Sequence, residues 1–327
     1  MMKISTSSIA CIGLMLAGFL TVAATQAAPV YTVQQRWALG EPGKWDYADV
    51  DPVRHRLFIT RGDHVQVLEL PSGKVAGDIG NTAGVHGVAF AQDLKLGFTS
   101  NGRADSVTVF DLNTLKVKQE IKVTGANPDA ILYEPASHKL YTFNGKSANV
   151  SVFDAMTLKV LATIKVSGKP EFAVSDGAGK IYVNIEDKSE IAVIDVASNT
   201  LLAQWPLPGC EEPTGIAIDQ ARARLFSVCQ NKIMVVIDAR SGKHVADVVI
   251  GAHPDVAIYD PGSATVFSSN GDGTLSVIHQ ADADHYVPIA QLTTEKGART
   301  MAMDHASREI FLPSMVNKVF TVLVASP

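Results

Sequence analysis

Short runs in which apolar and polar residues alternate, separated by clusters of Gly, Asn, Asp, Ser and Thr, fill the chain from residue 31 to its end. A period of two with enrichment in Val, Ile, Phe and Tyr predicts β-strands, and beyond residue 30 no apolar stripe keeps a helical period. The runs also repeat as a set. The segments GKWDYADVD, GVHGVAFAQ, NPDAILYEP, KPEFAVSDG, EPTGIAIDQ, HPDVAIYDP and GARTMAMDH align on Asp46, His86, Asp129, Glu171, Thr214, Asp255 and Arg299, at spacings of 40, 43, 42, 43, 41 and 44 residues. Each anchor leads into four strands, which in the third unit read AILY, KLYTFNG, NVSVFD and KVLATIKV. Four short strands in a unit of this length mark a propeller blade. Seven units predict an all-β, seven-bladed β-propeller forming one domain over residues 28–327.

The last unit stops after its third strand, at Lys318–Val324, while Tyr31–Leu39 is a strand without a unit. That orphan resembles fourth strands elsewhere, such as Leu201–Leu207. It is expected to complete the seventh blade, because an open ring would leave strand edges and apolar faces uncovered.

Ahead of it, Lys3, the uncharged run Ile9–Ala24 and the small residues Thr25 and Ala27 read as a secretory signal peptide over residues 1–27. The run is shorter than the ~20 residues of a membrane span, and Pro29 follows at once. The cleaved chain is therefore expected in the periplasm or secreted, with no membrane span left after cleavage.

Composition adds exclusions. The chain is 46% hydrophobic and 19% charged, which is globular, and its net charge is −5. Loss of Lys3 with the leader makes that −6, so no basic field exists to hold nucleic acid, and 7% aromatic residues leave few stacking platforms. There is no G-x-S-x-G elbow, P-loop or Rossmann G-x-G-x-x-G, which removes three large enzyme classes.

In a four-stranded blade, the start of the innermost strand shares a face with the loop between strands two and three. The anchors should therefore ring one mouth of the central channel, and ordinary turns such as DPVRHR, EPASHK and DQARAR should occupy the other face. Loops on a rigid scaffold make that mouth the default ligand site, with Asp46, His86, Asp129, Glu171, Asp255 and Arg299 as candidates. Clustered carboxylates raise one another's pKa unless a cation joins them. Arg299 and His86 offset some of the charge. A divalent cation held by Asp46, Glu171 and Asp255, with calcium the simplest, is a second answer, and a hydrated salt-bridged lining a third. Trp45, Tyr47 and Phe172 flank the anchors, either to stack on a ligand or to pack between blades. Cys210 and Cys229 remain after leader removal; both fall in the fifth unit at neighbouring strand ends, and a disulfide is expected.

The second strands IYVNIE (181–186), LYTFNG (140–145), GFTSNG (97–102) and VFSSNG (266–271) resemble the YVTN repeat. With the leader, residues 30–327 resemble the YncE-like, YVTN-family periplasmic β-propeller proteins; IFLPSM (310–315) and LFSVCQ (225–230) depart from the pattern. The resemblance implies fold and compartment. Related propellers are associated with protein partners, single-stranded DNA or lactone chemistry. The leading expectation is a non-catalytic platform for a protein partner or small ligand at the channel mouth. A metal-assisted lactone hydrolase or lyase comes second, with Asp46, Glu171 and Asp255 on the cation and His86 or Asp129 as base. Single-stranded DNA binding comes third, disfavoured by charge.

Overall fold

The computed structural model describes Met1 and residues 30–327; the rest of the expected leader, Cys11 included, lies outside the described residues. Seven sheets, each of four antiparallel strands, stand in a ring. Their innermost strands are Ala48–Asp51, Val85–Ala91, Pro128–Glu134, Pro170–Ser175, Pro213–Asp219, Pro254–Asp260 and Ala302–Asp304, defining blades one to seven. In the first six blades the chain runs outward strand by strand. The only helical turn among the described residues is the 3₁₀ segment Glu186–Lys188.

Blade seven closes the ring as expected. Its outermost strand is Thr32–Gly40, paired antiparallel with Val319–Ser326 from Thr32 opposite Ser326 to Gly40 opposite Phe320. Trp37 packs on Phe311 with ring centres 5.5 Å apart, and Arg36 reaches Glu295 of blade six at 2.7 Å. The two ends of the chain thus complete one sheet, and the ring has no unpaired joint.

Register is the same in every blade. Three residues beyond the anchors stand Asp49, Ala89, Leu132, Val174, Ala217, Ile258 and Ala302. Each faces an aromatic residue of the second strand: Phe58, Phe98, Tyr141, Tyr182, Phe226, Phe267 and Phe311 respectively. These rings are all buried, and burying each contributes about 1.5–3 kcal/mol. The core lies between adjacent blades: Tyr141, Phe143 and Val152 of blade three pack with Ile181, Val183 and Ile194 of blade four. Fourth strands face solvent on most positions, as in Val117–Lys122.

The Ser/Thr-x-Asn ending of several second strands has a local cause. Thr142 Oγ1 donates to Asn144 Oδ1 at 3.1 Å, and Asn144 Nδ2 donates to Asn149 Oδ1 and Ser151 Oγ, both at 2.8 Å. Asn101 and Asn270 repeat this arrangement in blades two and six. A buried amide is stable only when its donors and acceptor are satisfied, and the neighbouring third strand supplies the partners. In blade four the Asn comes one position earlier. Asn184 Nδ2 instead donates to the Thr214 and Gly215 carbonyls at 2.9 and 3.1 Å, stitching blade four to blade five.

Candidate functional site

Five anchors occupy the second position of their innermost strands: His86, Asp129, Glu171, Thr214 and Asp255; Asp46 and Arg299 lie just ahead of theirs. Asp129, Glu171 and Asp255 are buried, at 7%, 8% and 6% exposure. The side chains separate into three groups. His86 Nδ1 lies 2.6 Å from Asp46 Oδ2 and 3.6 Å from Asp129 Oδ1. Lys169 Nζ sits 2.9 Å from Glu171 Oε2 and also binds Glu186. Arg299 Nε lies 3.1 Å from Asp255 Oδ2. The Glu171 and Asp255 contacts have ion-pair distance without hydrogen-bond alignment, so both oxygens are buried and unsatisfied. Thr214 turns instead to the scaffold, donating to the Pro254 carbonyl at 3.0 Å.

Five carboxylates (Asp46, Asp129, Glu171, Glu186 and Asp255) thus face two fixed cations and one histidine. Protonation responds accordingly. Burial pushes Asp255 up to about 7 against the pull of Arg299. Burial also raises Asp129 against the pull of His86, and raises Glu171 with help from Asp129 and against Lys169. For His86, burial would lower the pKa, but Asp46, Asp129 and Glu171 together outweigh it and the value rises. For Lys169, burial is likewise outweighed by Glu171 and Glu186, which hold it charged.

Asp46, His86 and Asp129 each bring one ligand atom within 4.8 Å of the others. The trio expected from the sequence, Asp46, Glu171 and Asp255, is not what gathers, because Lys169 and Arg299 take the latter two. A mixed imidazole–carboxylate set suits a transition metal or zinc better than calcium, which prefers an all-oxygen shell. Space for His86 depends on Gly102, where a Cβ would lie 2.6 Å from His86 Nε2.

Of the aromatics expected beside the anchors, two meet each other and form the floor of the mouth. Tyr47 of blade one and Phe172 of blade four meet edge to face, ring centres 5.1 Å apart, across the axis. Phe172 packs against core clusters of blades three to seven, as only a residue at the hub can. The Tyr47 hydroxyl is raised well above its ordinary value by burial and then by Glu171, Asp129, Asp255 and Asp46. A signal existed in the residues directly after the anchors: Tyr47, Gly87, Ala130, Phe172, Gly215, Val256 and Thr300. Two aromatics among five smaller residues fill the hole.

Beneath that pair, the axis opens into a cavity of about 620 Å³, walled by residues such as Val50, Val88, Ile131, Val174, Ile258 and Met303. It reaches Pro52, Asp304 and His305 in the turns of the opposite face. None of the anchors lines it.

Other candidates serve the scaffold. Trp45 packs on Phe320, 5.6 Å between centres. Cys210 and Cys229 form the expected disulfide, Cα atoms 5.5 Å apart, tying the loop before the fifth innermost strand to the end of its neighbour. No helix among the described residues is long and apolar enough to cross a membrane.

No protein-family model matches the chain, and no curated protein matches it. Solved structures do. A chain of hydrazine synthase from Kuenenia stuttgartiensis is 16% identical with a TM-score of 0.76, covering 86% of this chain and 96% of that one. A chain of the mitotic checkpoint complex is 12% identical with a TM-score of 0.79, covering 98% and 99%. U3-55K is 8% identical with a TM-score of 0.76, covering 90% and 98%. Identities this low carry the fold alone: the chain is a seven-bladed β-propeller.

Proposed function

We propose that residues 28–327 form one exported propeller domain of YVTN type, whose acidic channel mouth takes a positively charged group from a protein partner or small ligand. Propellers commonly serve as protein-interaction scaffolds. The observation that carries this reading is the surplus of carboxylates over cations around Tyr47, with buried oxygens of Glu171 and Asp255 lacking aligned donors. An ammonium or guanidinium entering the mouth supplies those donors and offsets the desolvation of the acids. The aromatic floor offers Tyr47 and Phe172 to the same cation. The Ser/Thr-x-Asn strands and the leader-like residues 1–27 support the family and compartment, and the disulfide fits an oxidising environment.

A labelled hexalysine peptide tests the mouth by fluorescence anisotropy at low and physiological salt. Binding should weaken with salt and fall at least tenfold in a Glu171→Gln/Asp255→Asn variant that still folds. Equal affinity for the variant would refute the site. N-terminal sequencing of the fractionated protein should begin at Ala28.

The grouping of Asp46, His86 and Asp129 favours a second reading, the metal-assisted hydrolase or lyase. A cation there would polarise a carbonyl or activate water, leaving the protein to orient the substrate over the aromatic floor. Elemental analysis with melting before and after chelation tests it: one metal per chain, lost in His86→Ala, is the expected result, and none bound would exclude it.

A further inference from the structure

Below the Tyr47–Phe172 pair, the wall of the axial cavity is mostly apolar, with Asp49 of blade one inside it and Asp304 and His305 of blade seven at its far rim. Of the seven equivalent positions opposite second-strand aromatics, six hold Ala, Leu, Val or Ile; the seventh is Asp49. Asp49 lines the cavity together with Val174, Ala217, Ile258 and Ala302 from that set. Its sole hydrogen bond among the described residues is one it accepts at Oδ1 from its neighbour's amide, Val50 N, at 2.8 Å. No Lys, Arg or His among the described residues lies within ion-pair reach of it. Asp304, at the rim, is by contrast engaged, accepting from Ala306 N and Ser307 Oγ at 3.0 Å.

Asp49 is exposed to the axial space and has no cation of its own, so its carboxylate is open to an ammonium that enters the hollow, while the ligand's body leaves water for the surrounding apolar wall. The volume lies in the range of pockets that hold drug-sized molecules, with mostly apolar walls and Asp49 placed to fix orientation. We infer that this chamber binds a small molecule with an aromatic or aliphatic body and a single protonated amine, the ammonium pairing with Asp49 and the body filling the apolar walls. The charged groups of the two sites are separate: Tyr47 and Phe172 lie between them and border both, but none of the mouth's acids lines the chamber.

Calorimetric titration of the full chain with 2-(1-naphthyl)ethylamine, the neutral 2-(1-naphthyl)ethanol and the anionic 1-naphthylacetate tests the inference. The amine should bind at least tenfold more tightly than the alcohol, and the acetate should not bind. Asp49→Asn should bring the amine to the level of the alcohol without lowering the melting midpoint. Ala217→Trp, which fills the chamber, should abolish both. The Glu171→Gln/Asp255→Asn mouth variant should leave amine binding unchanged, so a failure here is distinct from a failure at the mouth. Equal affinity for amine and alcohol, an unaffected Asp49→Asn variant, or no binding by any probe would overturn the assignment.

Discussion

Single residues do two unlike jobs in this ring. Asn144 is structural: its amide closes a four-residue network with Thr142, Asn149 and Ser151. Asn144→Ala leaves those buried partners unmatched and should cost about 1–3 kcal/mol in urea unfolding; a change within a few tenths would show the network to be idle. His86 is held for the site, and its place depends on the absence of a side chain at Gly102. Gly102→Ala should push the imidazole off Asp46, so that its NMR-detected pKa falls from its raised value toward ordinary histidine. An unchanged titration would mean the ring has another way to settle. The residues beside the anchors show what a single chain does and does not reveal. Carboxylates at the mouth follow from the repeat alone, because a repeated position marks a common place in each blade. Which of them touch does not follow, since Lys169 and Glu171 meet through side-chain reach, and Asp46 and His86 come from different blades.

At the scale of strands and loops, regularity made the chain readable. Seven evenly spaced anchors, the missing fourth strand at the C-terminus and the orphan at Tyr31–Leu39 lead to blade count and closure, and the pairing of Thr32–Gly40 with Val319–Ser326 bears both out. The disulfide was legible because Cys210 and Cys229 fall at strand ends that antiparallel pairing brings together. It spans a separation of 19 residues, and loop-closure entropy gives such a bridge about 3 kcal/mol. Reduction should therefore lower the denaturant midpoint, and Cys210→Ser/Cys229→Ser should behave like the reduced protein. A midpoint indifferent to reductant would show the loop to be held by its packing instead. The chamber escaped because the turn face looked like ordinary connections. Its character depends on residues of all seven blades together, and only comparison across equivalent positions singles out Asp49 among Ala, Leu, Val and Ile.

For the whole molecule, the ring converts seven local patterns into one axis with two ends of opposite chemistry. Above Tyr47 and Phe172 lie buried acids in excess of their cations; below them lies a largely apolar hollow with Asp49 in its wall and Asp304 at its rim. The mouth holds acids whose pKa values are raised above those of the unfolded chain, and the consequence for stability has a definite sign. The folded state keeps protons on Asp129, Glu171, Asp255 and His86 that the unfolded state releases, so the stability these four groups contribute is lost as pH rises through their folded values. Each group contributes at most about 1.4 kcal/mol per pH unit within its own window. The most direct measurement is the melting midpoint of the ligand-free protein between pH 5 and 8, beside the Glu171→Gln/Asp255→Asn variant. The midpoint should fall steadily toward pH 8 in the wild type and follow a flatter, higher line in the variant. A wild-type midpoint that rises with pH, or stays level and matches the variant, would contradict an axis lined by uncompensated acids.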